Sequence, residues 1–226
     1  MNTVSVGMVL VGAGSGQRMN GIDKVWSSLG AHPIVWHSLN RFASEVRHLV
    51  LVVRSDQLAD ARALAAGIPN VCVVAGGAQR QDSVASGLQA LEPVDIVAIH
   101  DVARPFATAQ LLRMGVDAVQ PGSGAVPVLP IVDTVKAVNA DGTIESTIGR
   151  EWLRTVQTPQ IFWRAALVDA HRQAKQASRS GTDDAALLEA AGYPVKTFPG
   201  EQHNFKITTP FDLRLAERML TWDVTP

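Results

Sequence analysis

The segment Gly12–Lys24 reads G-A-G-S-G-Q-R-M-N-G-I-D-K and follows directly on the apolar run Val4–Val11. Glycines let backbone N–H groups approach a ligand closely and adopt positive φ. Successive N–H groups in such a turn form a concave nest for anions. Arg18 and Lys24 add full positive charge within one loop's reach. The chemistry this suits is the capture of a polyphosphate. Two common phosphate-binding patterns do not fit. Gly16 and Gly21 have the spacing of a P-loop, but Ile22 stands where its lysine belongs. Gly12 and Gly14 fit the dinucleotide fingerprint, but Gln17 occupies its third glycine position, and the run His48–Val53 ends in Arg54 rather than in an acid. The loop points to another class of nucleotide site. Taken alone, it also fits an ordinary glycine-rich strand-to-helix turn.

Such a loop must sit at the edge of a sheet. Short β-branched-rich runs recur at Val4–Val11, Leu49–Val53, Val71–Val74, Ile96–Ile99 and Ala125–Leu129. They do not alternate with polar residues, as expected of strands buried on both faces. Helical patterns separate them near Pro33–Ala43, Asp56–Ala66, Ser83–Leu91 and Thr108–Val119. This succession predicts an α/β fold with a doubly wound, mostly parallel sheet. Ligands then bind beyond the carboxyl ends of the strands. Gly12–Lys24, Ala75–Ser83 and His100–Phe106 all follow such ends.

The rhythm changes after Pro130. Asp133–Val138 and Thr143–Ile148 flank Asn139-Ala140-Asp141-Gly142, a strong hairpin signal. Its flanks are partly polar, so the hairpin should project as an arm at about residues 131–152. The chain is expected to return through Gln157–Phe162, form helices near Trp163–Ser178 and Asp183–Ala191, and add a last strand at Asn204–Ile207. Pro210 suits the first turn of a final helix. No repeat or interdomain linker is evident, so a single domain is expected over residues 1–226.

Composition narrows the function classes. The chain has 226 residues, 46% of them hydrophobic, enough for one substantial core. Lys and Arg number 20 against 21 Asp and Glu, so no basic surplus argues for nucleic acid. Positive field for phosphates must be local. The single cysteine, Cys72, cannot form an internal disulfide and suits a reducing cytoplasm. No apolar run reaches the ~18 residues of a membrane span, and no secretory leader pattern is expected at the N-terminus. Neither a Ser/His/Asp or Cys/His constellation nor a closed His/Cys metal set is evident.

Seven phrases stand in order: G-A-G-S-G-Q-R-M after the first strand, G-G-A-Q-R-Q-D-S-V at Gly76–Val84, H-D-V-A-R-P-F at His100–Phe106, P-I-V-D-T-V-K at Pro130–Lys136, Q-T-P-Q at Gln157–Gln160, T-D-D at Thr182–Asp184 and N-F-K-I-T at Asn204–Thr208. Together they resemble the sugar-phosphate cytidylyltransferases over nearly the whole chain. The resemblance implies a Rossmann-like nucleotidyltransferase fold with a projecting β-hairpin arm. It implies transfer of a cytidylyl group from CTP to a sugar-alcohol phosphate, with release of pyrophosphate. The favoured acceptor is 2-C-methyl-D-erythritol 4-phosphate of non-mevalonate isoprenoid synthesis. The alternatives are ribitol 5-phosphate and, from another class, a nucleotide-binding regulatory module without catalysis.

The same resemblance assigns roles. Arg18, Lys24 and Lys206 are implied to bind phosphates and stabilise the transition state. Ala13, Gly14, Gly16, Gly76, Gly77 and Ser83 are implied to hold the nucleotide, Ala13, Gly76, Gly77 and Ser83 by lining the cytosine pocket. Asp101, Arg104, Thr134, Arg150 and Thr158 are implied to hold the acceptor, with Thr134 and Arg150 reaching the partner's site in a homodimer joined through the arm. Mg²⁺ is implied as cofactor, arriving with the CTP phosphates rather than on a protein ligand set. Asp82 and Ser83 equally suit a helix N-cap, and Asp101 with Arg104 equally suits a structural ion pair. His100 is read as a structural residue at a strand end.

Overall fold

The computed structural model describes residues 4–14 and 25–221. In chain order it runs β1 (Val6–Val11), β2 (Ser28–Leu29), β3 (His32–Pro33), α1 (Ile34–Phe42), β4 (His48–Val53), α2 (Leu58–Ala65), β5 (Val71–Ala75), α3 (Arg80–Ala90), β6 (Ile96–Asp101) and α4 (Ala109–Ala118). There follow β7 (Gly124–Pro130), β8 (Val135–Val138), β9 (Ile144–Ile148), β10 (Arg154–Val156), β11 (Gln160–Trp163), α5 (Arg164–Gln176), α6 (Asp184–Ala190), β12 (Val195–Pro199) and α7 (Pro210–Thr221).

The central sheet has the order β10-β7-β11-β6-β1-β4-β5, with β12 also paired to β7. Strands β6, β1, β4 and β5 are parallel, while β11 runs antiparallel between β6 and β7. Successive side chains leave opposite faces of a strand, and both faces are covered. Met8, Leu10, Leu49 and Leu51 join a core with Ile34 and Leu39 of α1, Leu111 of α4 and Ala216 of α7. Val9, Val50 and Val52 join a second core with Val84 of α3, Leu167 of α5 and Leu188 of α6. Every residue of β4 and β6 is buried. Each Val, Leu or Ile so placed contributes about 1.5–3 kcal/mol relative to exposure. The mostly parallel α/β sheet expected from the sequence is present.

Three differences from the sequence reading bear on the site. Strand β6 continues past Ile99, so His100 and Asp101 pair with Leu10 and Val11 on the sheet itself. Helix α3 begins at Arg80 rather than Ser83, which places an arginine at its first position. The last strand is Val195–Pro199, paired parallel with β7, and not Asn204–Ile207. The latter segment is irregular because its polar groups turn inward. Asn204 Nδ2 donates to the Thr158 carbonyl at 2.8 Å, while the Asn204 N–H turns back to the Glu201 carbonyl and the Ile207 N–H reaches the Ala103 carbonyl.

Strands β8 and β9 form a separate antiparallel hairpin with a bulge at Ala137/Val138. Its turn is fixed by the Asn139 N–H donating to the Thr143 carbonyl and by Asp141 Oδ1 accepting from Thr143 N. Gly142 has φ +87°, a conformation that favours glycine. Val138 and Ile144 on this arm, and Trp152 beyond it, are exposed.

Candidate active site

A cleft of about 260 Å³ opens at the carboxyl ends of β1, β5 and β6. Among the described residues its wall includes Gly12–Gly14 after β1, Gly77–Arg80 after β5, Asp101 of β6 and Lys206. This is the edge at which an open parallel sheet binds ligands. Gly16, Arg18 and Lys24 lie outside the described residues.

The loop after β5 is built for close approach. A Cβ on Gly76 would lie 2.4 Å from Ala13 Cβ and 2.6 Å from Ser83 Oγ, so only glycine fits. The Gly77 N–H donates to Ser83 Oγ at 3.2 Å, and the Ser83 hydroxyl donates to the Gln79 carbonyl at 3.0 Å. Asp82 Oδ2 accepts from the Gln79 N–H at 3.1 Å. Asp82 therefore ties down the start of α3, and the buried Ser83 shapes the loop through both lone pair and proton. Among the described residues, none comes within 4 Å of where a Cβ on Gly14 would point.

Asp101 is the electrostatic centre. Its Oδ2 accepts from Lys206 Nζ at 2.6 Å and its Oδ1 from Arg80 Nε at 3.2 Å. Burial alone would raise this carboxyl; Arg80 and Lys206 outweigh it and hold it well below the usual carboxylate range. Arg80 Nη1 also donates to Asp184 Oδ2 at 2.7 Å, and Asp184 Oδ1 accepts from His171 Nε2 at 3.0 Å. Burial pushes the Asp184 carboxyl upward, but Arg80 and His171 hold it low.

Arg104 does not pair with Asp101 in a hydrogen bond. Its Nη1 donates to the Asn204 carbonyl at 2.8 Å and its Nη2 to the Val156 carbonyl at 3.4 Å, while its Nε is buried without a partner. Of the two readings of Asp101, the ion pair exists, but with Arg80 and Lys206.

The phrase Gln157–Gln160 holds the other segments together. Gln157 Nε2 donates to the Glu201 and Asn204 carbonyls at 2.8 and 3.2 Å, which fixes the segment carrying Lys206. Gln160 Nε2 donates to Asp183 Oδ2 at 2.7 Å, and Gln160 Oε1 accepts from the Ala185 N–H at 3.3 Å, which fixes the start of α6. Thr158 is buried. Its hydroxyl accepts from the Asp101 N–H at 3.1 Å and lies 3.0 Å from His100 Nδ1. Burial lowers the His100 pKa to about 4. The imidazole is therefore neutral at pH 7, donates from Nε2 to the Arg104 carbonyl at 3.1 Å and accepts the Thr158 proton at Nδ1. His100 is structural, and Thr158 supports Asp101 from beneath.

Thr134 and Arg150 are exposed at the base of the arm, where Arg150 Nη1 donates to the Val132 carbonyl. They are not among the residues that line the cleft of their own chain. Arg80 and Asp184 were visible in the G-G-A-Q-R and T-D-D phrases, but nothing in the sequence pairs positions so far apart.

A glycine-lined cleft at the carboxyl edge of this sheet, with the Arg80–Asp101–Lys206 charges on one wall and a projecting hairpin, defines a Rossmann-like nucleotidyltransferase. The sequence profile of the 2-C-methyl-D-erythritol 4-phosphate cytidylyltransferase family matches residues 6–222. Similar proteins of that name occur in Symbiobacterium thermophilum, 41% identical over 96% of this chain and 93% of the relative, and in Geobacillus kaustophilus, 42% identical over 94% and 95%. The 2-C-methyl-D-erythritol 4-phosphate cytidylyltransferase structure from Thermus thermophilus superposes with a TM-score of 0.80 at 34% identity, covering 97% of this chain and 99% of that one. The 4-diphosphocytidyl-2C-methyl-D-erythritol synthase structure from Anaerococcus prevotii gives 0.85 at 27% identity, over 97% and 99%. The chain belongs to the 2-C-methyl-D-erythritol 4-phosphate cytidylyltransferase family and is a nucleotidyltransferase enzyme.

Proposed function

We propose that this chain transfers the cytidylyl group of CTP to 2-C-methyl-D-erythritol 4-phosphate, with the cleft between Gly76–Ser83 and the Asp101–Lys206 pair as its active site. A phosphate oxygen of the acceptor attacks the α-phosphorus. That P–O bond forms as the bond to the bridging oxygen breaks, and pyrophosphate leaves. The acceptor phosphate is largely a dianion near pH 7, so no protein base is needed. What must be overcome is repulsion between two anions, and what helps is cations placed for in-line attack.

Lys206, the cation of the cleft's Asp101 pair, stands at the acceptor side and receives the incoming phosphate. Arg18 and Lys24, in the glycine-rich segment that follows β1 in the sequence, bind the triphosphate. Ala13, Gly76 and Gly77 crowd the base pocket, which favours a pyrimidine over a purine. Asp101 accepts from acceptor hydroxyls, and Arg104, fixed by two carbonyls, flanks it. Asp101, the carboxylate of the described cleft wall, already meets cations at both oxygens. This donor set suits a Mg²⁺ held mainly by the nucleotide phosphates, where it neutralises charge. No group of three or more His, Cys, Asp or Glu suited to a metal occurs among the described residues.

The arm supports a homodimer in which Thr134 and Arg150 complete the acceptor site of the partner. Large apolar side chains exposed on one hairpin mark an association surface. No described helix is long and apolar enough to cross a membrane, and the single cysteine fits a cytoplasmic enzyme.

The observation that carries this reading is the meeting of Lys206, Asp101 and the Gly77–Ser83 segment in one cleft. The test is pyrophosphate release with CTP and Mg²⁺, comparing methylerythritol 4-phosphate with ribitol 5-phosphate. Turnover with the former alone is expected. Turnover with ribitol phosphate alone overturns the acceptor assignment, and release with neither overturns the catalytic reading.

A further inference from the structure

The relay behind Asp101 has a geometry that packing does not require. Arg80 divides its guanidinium between two carboxylates: Nε to Asp101 Oδ1 at 3.2 Å and Nη1 to Asp184 Oδ2 at 2.7 Å. Asp184 is 1% exposed and is held on its far side by His171 Nε2 at 3.0 Å. It does not cap α6, because Asp183 Oδ1 accepts from the Ala186 N–H. A carboxylate buried this deeply is costly unless it is fully paired. Of its two partners, His171 braces it from the far side and Arg80 is the guanidinium that touches Asp101.

We propose that Asp184, braced by His171, is a positioning residue for the acceptor site: it anchors Arg80 so that only Nε reaches Asp101, leaving Asp101 Oδ2 for Lys206 and for acceptor hydroxyls. An arginine facing a single carboxylate tends to form a two-bond fork. Released from Asp184, Arg80 would take both oxygens of Asp101 and displace Lys206 from its 2.6 Å contact. The acceptor would then lose a hydrogen-bond acceptor and meet a misplaced lysine. The nucleotide pocket at Gly76, Gly77 and Ser83 would be left intact, since its hydrogen bonds involve neither Arg80 nor Asp184 side chains.

This inference rests on the reading of Asp101 as an acceptor contact, so the two are separated by experiment. Steady-state kinetics of Asp101→Asn, Asp184→Asn and the double variant are compared, varying each substrate in turn. Asp184→Asn is expected to raise KM for methylerythritol 4-phosphate about tenfold, the loss typical of one charge-assisted hydrogen bond, with KM for CTP within about twofold. In the Asp101→Asn background the second substitution should add little, because its route is already cut. An Asp101→Asn variant with unchanged acceptor KM overturns the site reading. An Asp101→Asn defect combined with normal acceptor KM in Asp184→Asn overturns the positioning role alone. Equal increases in both KM values, or fully additive losses in the double variant, mean a structural role and likewise overturn it. If Asp184→Asn does not fold, His171→Gln gives the same split in milder form, about threefold on the acceptor KM. An equal effect of His171→Gln on both substrates overturns the proposal.

Discussion

Lys206 places Nζ 2.6 Å from Asp101 Oδ2, yet the lysine side chain is 35% exposed and the aspartate 10%. The lysine end is screened by water, but the carboxylate is buried, so losing the lysine leaves it with one cation fewer and costs about 1–3 kcal/mol. A cation aimed at developing phosphate charge is worth far more to rate, since losing one well-placed donor costs about 10²–10³ in kcat. Lys206→Ala is therefore expected to lower kcat by about two to three orders of magnitude and the thermal midpoint by a few degrees, with Arg80 still pairing Asp101. Pyrophosphate-release kinetics beside a thermal melt check this. A large loss of stability with modest loss of rate would make Lys206 a structural residue.

Gly76 makes a second, opposite prediction. A Cβ there meets Ala13 Cβ at 2.4 Å and Ser83 Oγ at 2.6 Å, the first just after β1 and the second in the first turn of α3. Gly76→Ala should destabilise the protein by about 1–3 kcal/mol, the usual cost of overpacking. It should also raise KM for CTP well beyond KM for the acceptor. Urea unfolding and two-substrate kinetics measure these separately. A variant with native affinity for CTP would show that this loop does not shape the base pocket.

His100 gives a pH dependence whose sign is fixed by its burial. Its pKa falls from 6.5 to about 4 in the folded chain because desolvation disfavours the imidazolium. Between those values the unfolded chain binds more protons, so stability rises with pH. The contribution is complete above pH 6.5 and is lost as pH falls toward 4, on the order of 3 kcal/mol in all. His37 is lowered by burial too and adds in the same direction. His100→Gln is expected to be less stable at pH 7 and to show a flatter fall in urea midpoint from pH 7 to pH 5. An unchanged slope would place the proton uptake elsewhere.

How much of this was legible depends on the range of the interaction. Strands such as His48–Val53 announce themselves because Leu49–Val53 are all apolar and both faces are buried. The arm is legible from Asp141-Gly142, a local turn signal. Strand β12 is not, because Lys196, Thr197 and Pro199 face outward on a polar edge and resemble a loop. The glycine turn and the charged strand end were found as phrases, but their wiring was not. Arg80, Asp101, Asp184 and His171 are spread over α3, β6, α6 and α5, and no periodicity links such positions. Gln157 and Gln160 stand in the sequence as the ends of the Q-T-P-Q phrase, and only the fold shows that they pin the Lys206 segment and α6. Arg104 illustrates the limit in reverse: its nearness in sequence to Asp101 suggests a pair, yet the strand end turns its guanidinium toward the Asn204 and Val156 carbonyls.

The arm carries the last prediction. Trp152 is 91% exposed, Val132 78% and Ile144 63%, an apolar display on the hairpin and the segments at its base. Association would bury it, and tryptophan is the residue whose loss most often weakens an interface. Trp152→Ser should cost about 2 kcal/mol or more of association energy, raising the dimer Kd at least about tenfold. Sedimentation at several concentrations reads that shift directly. Activity should fall with it on dilution, because Thr134 and Arg150 would no longer reach the partner's cleft, and it should return as protein concentration rises. A fully active monomer, in the variant or in the parent chain, would remove the arm from the acceptor site and return Thr134 and Arg150 to the solvent-exposed surface on which they lie.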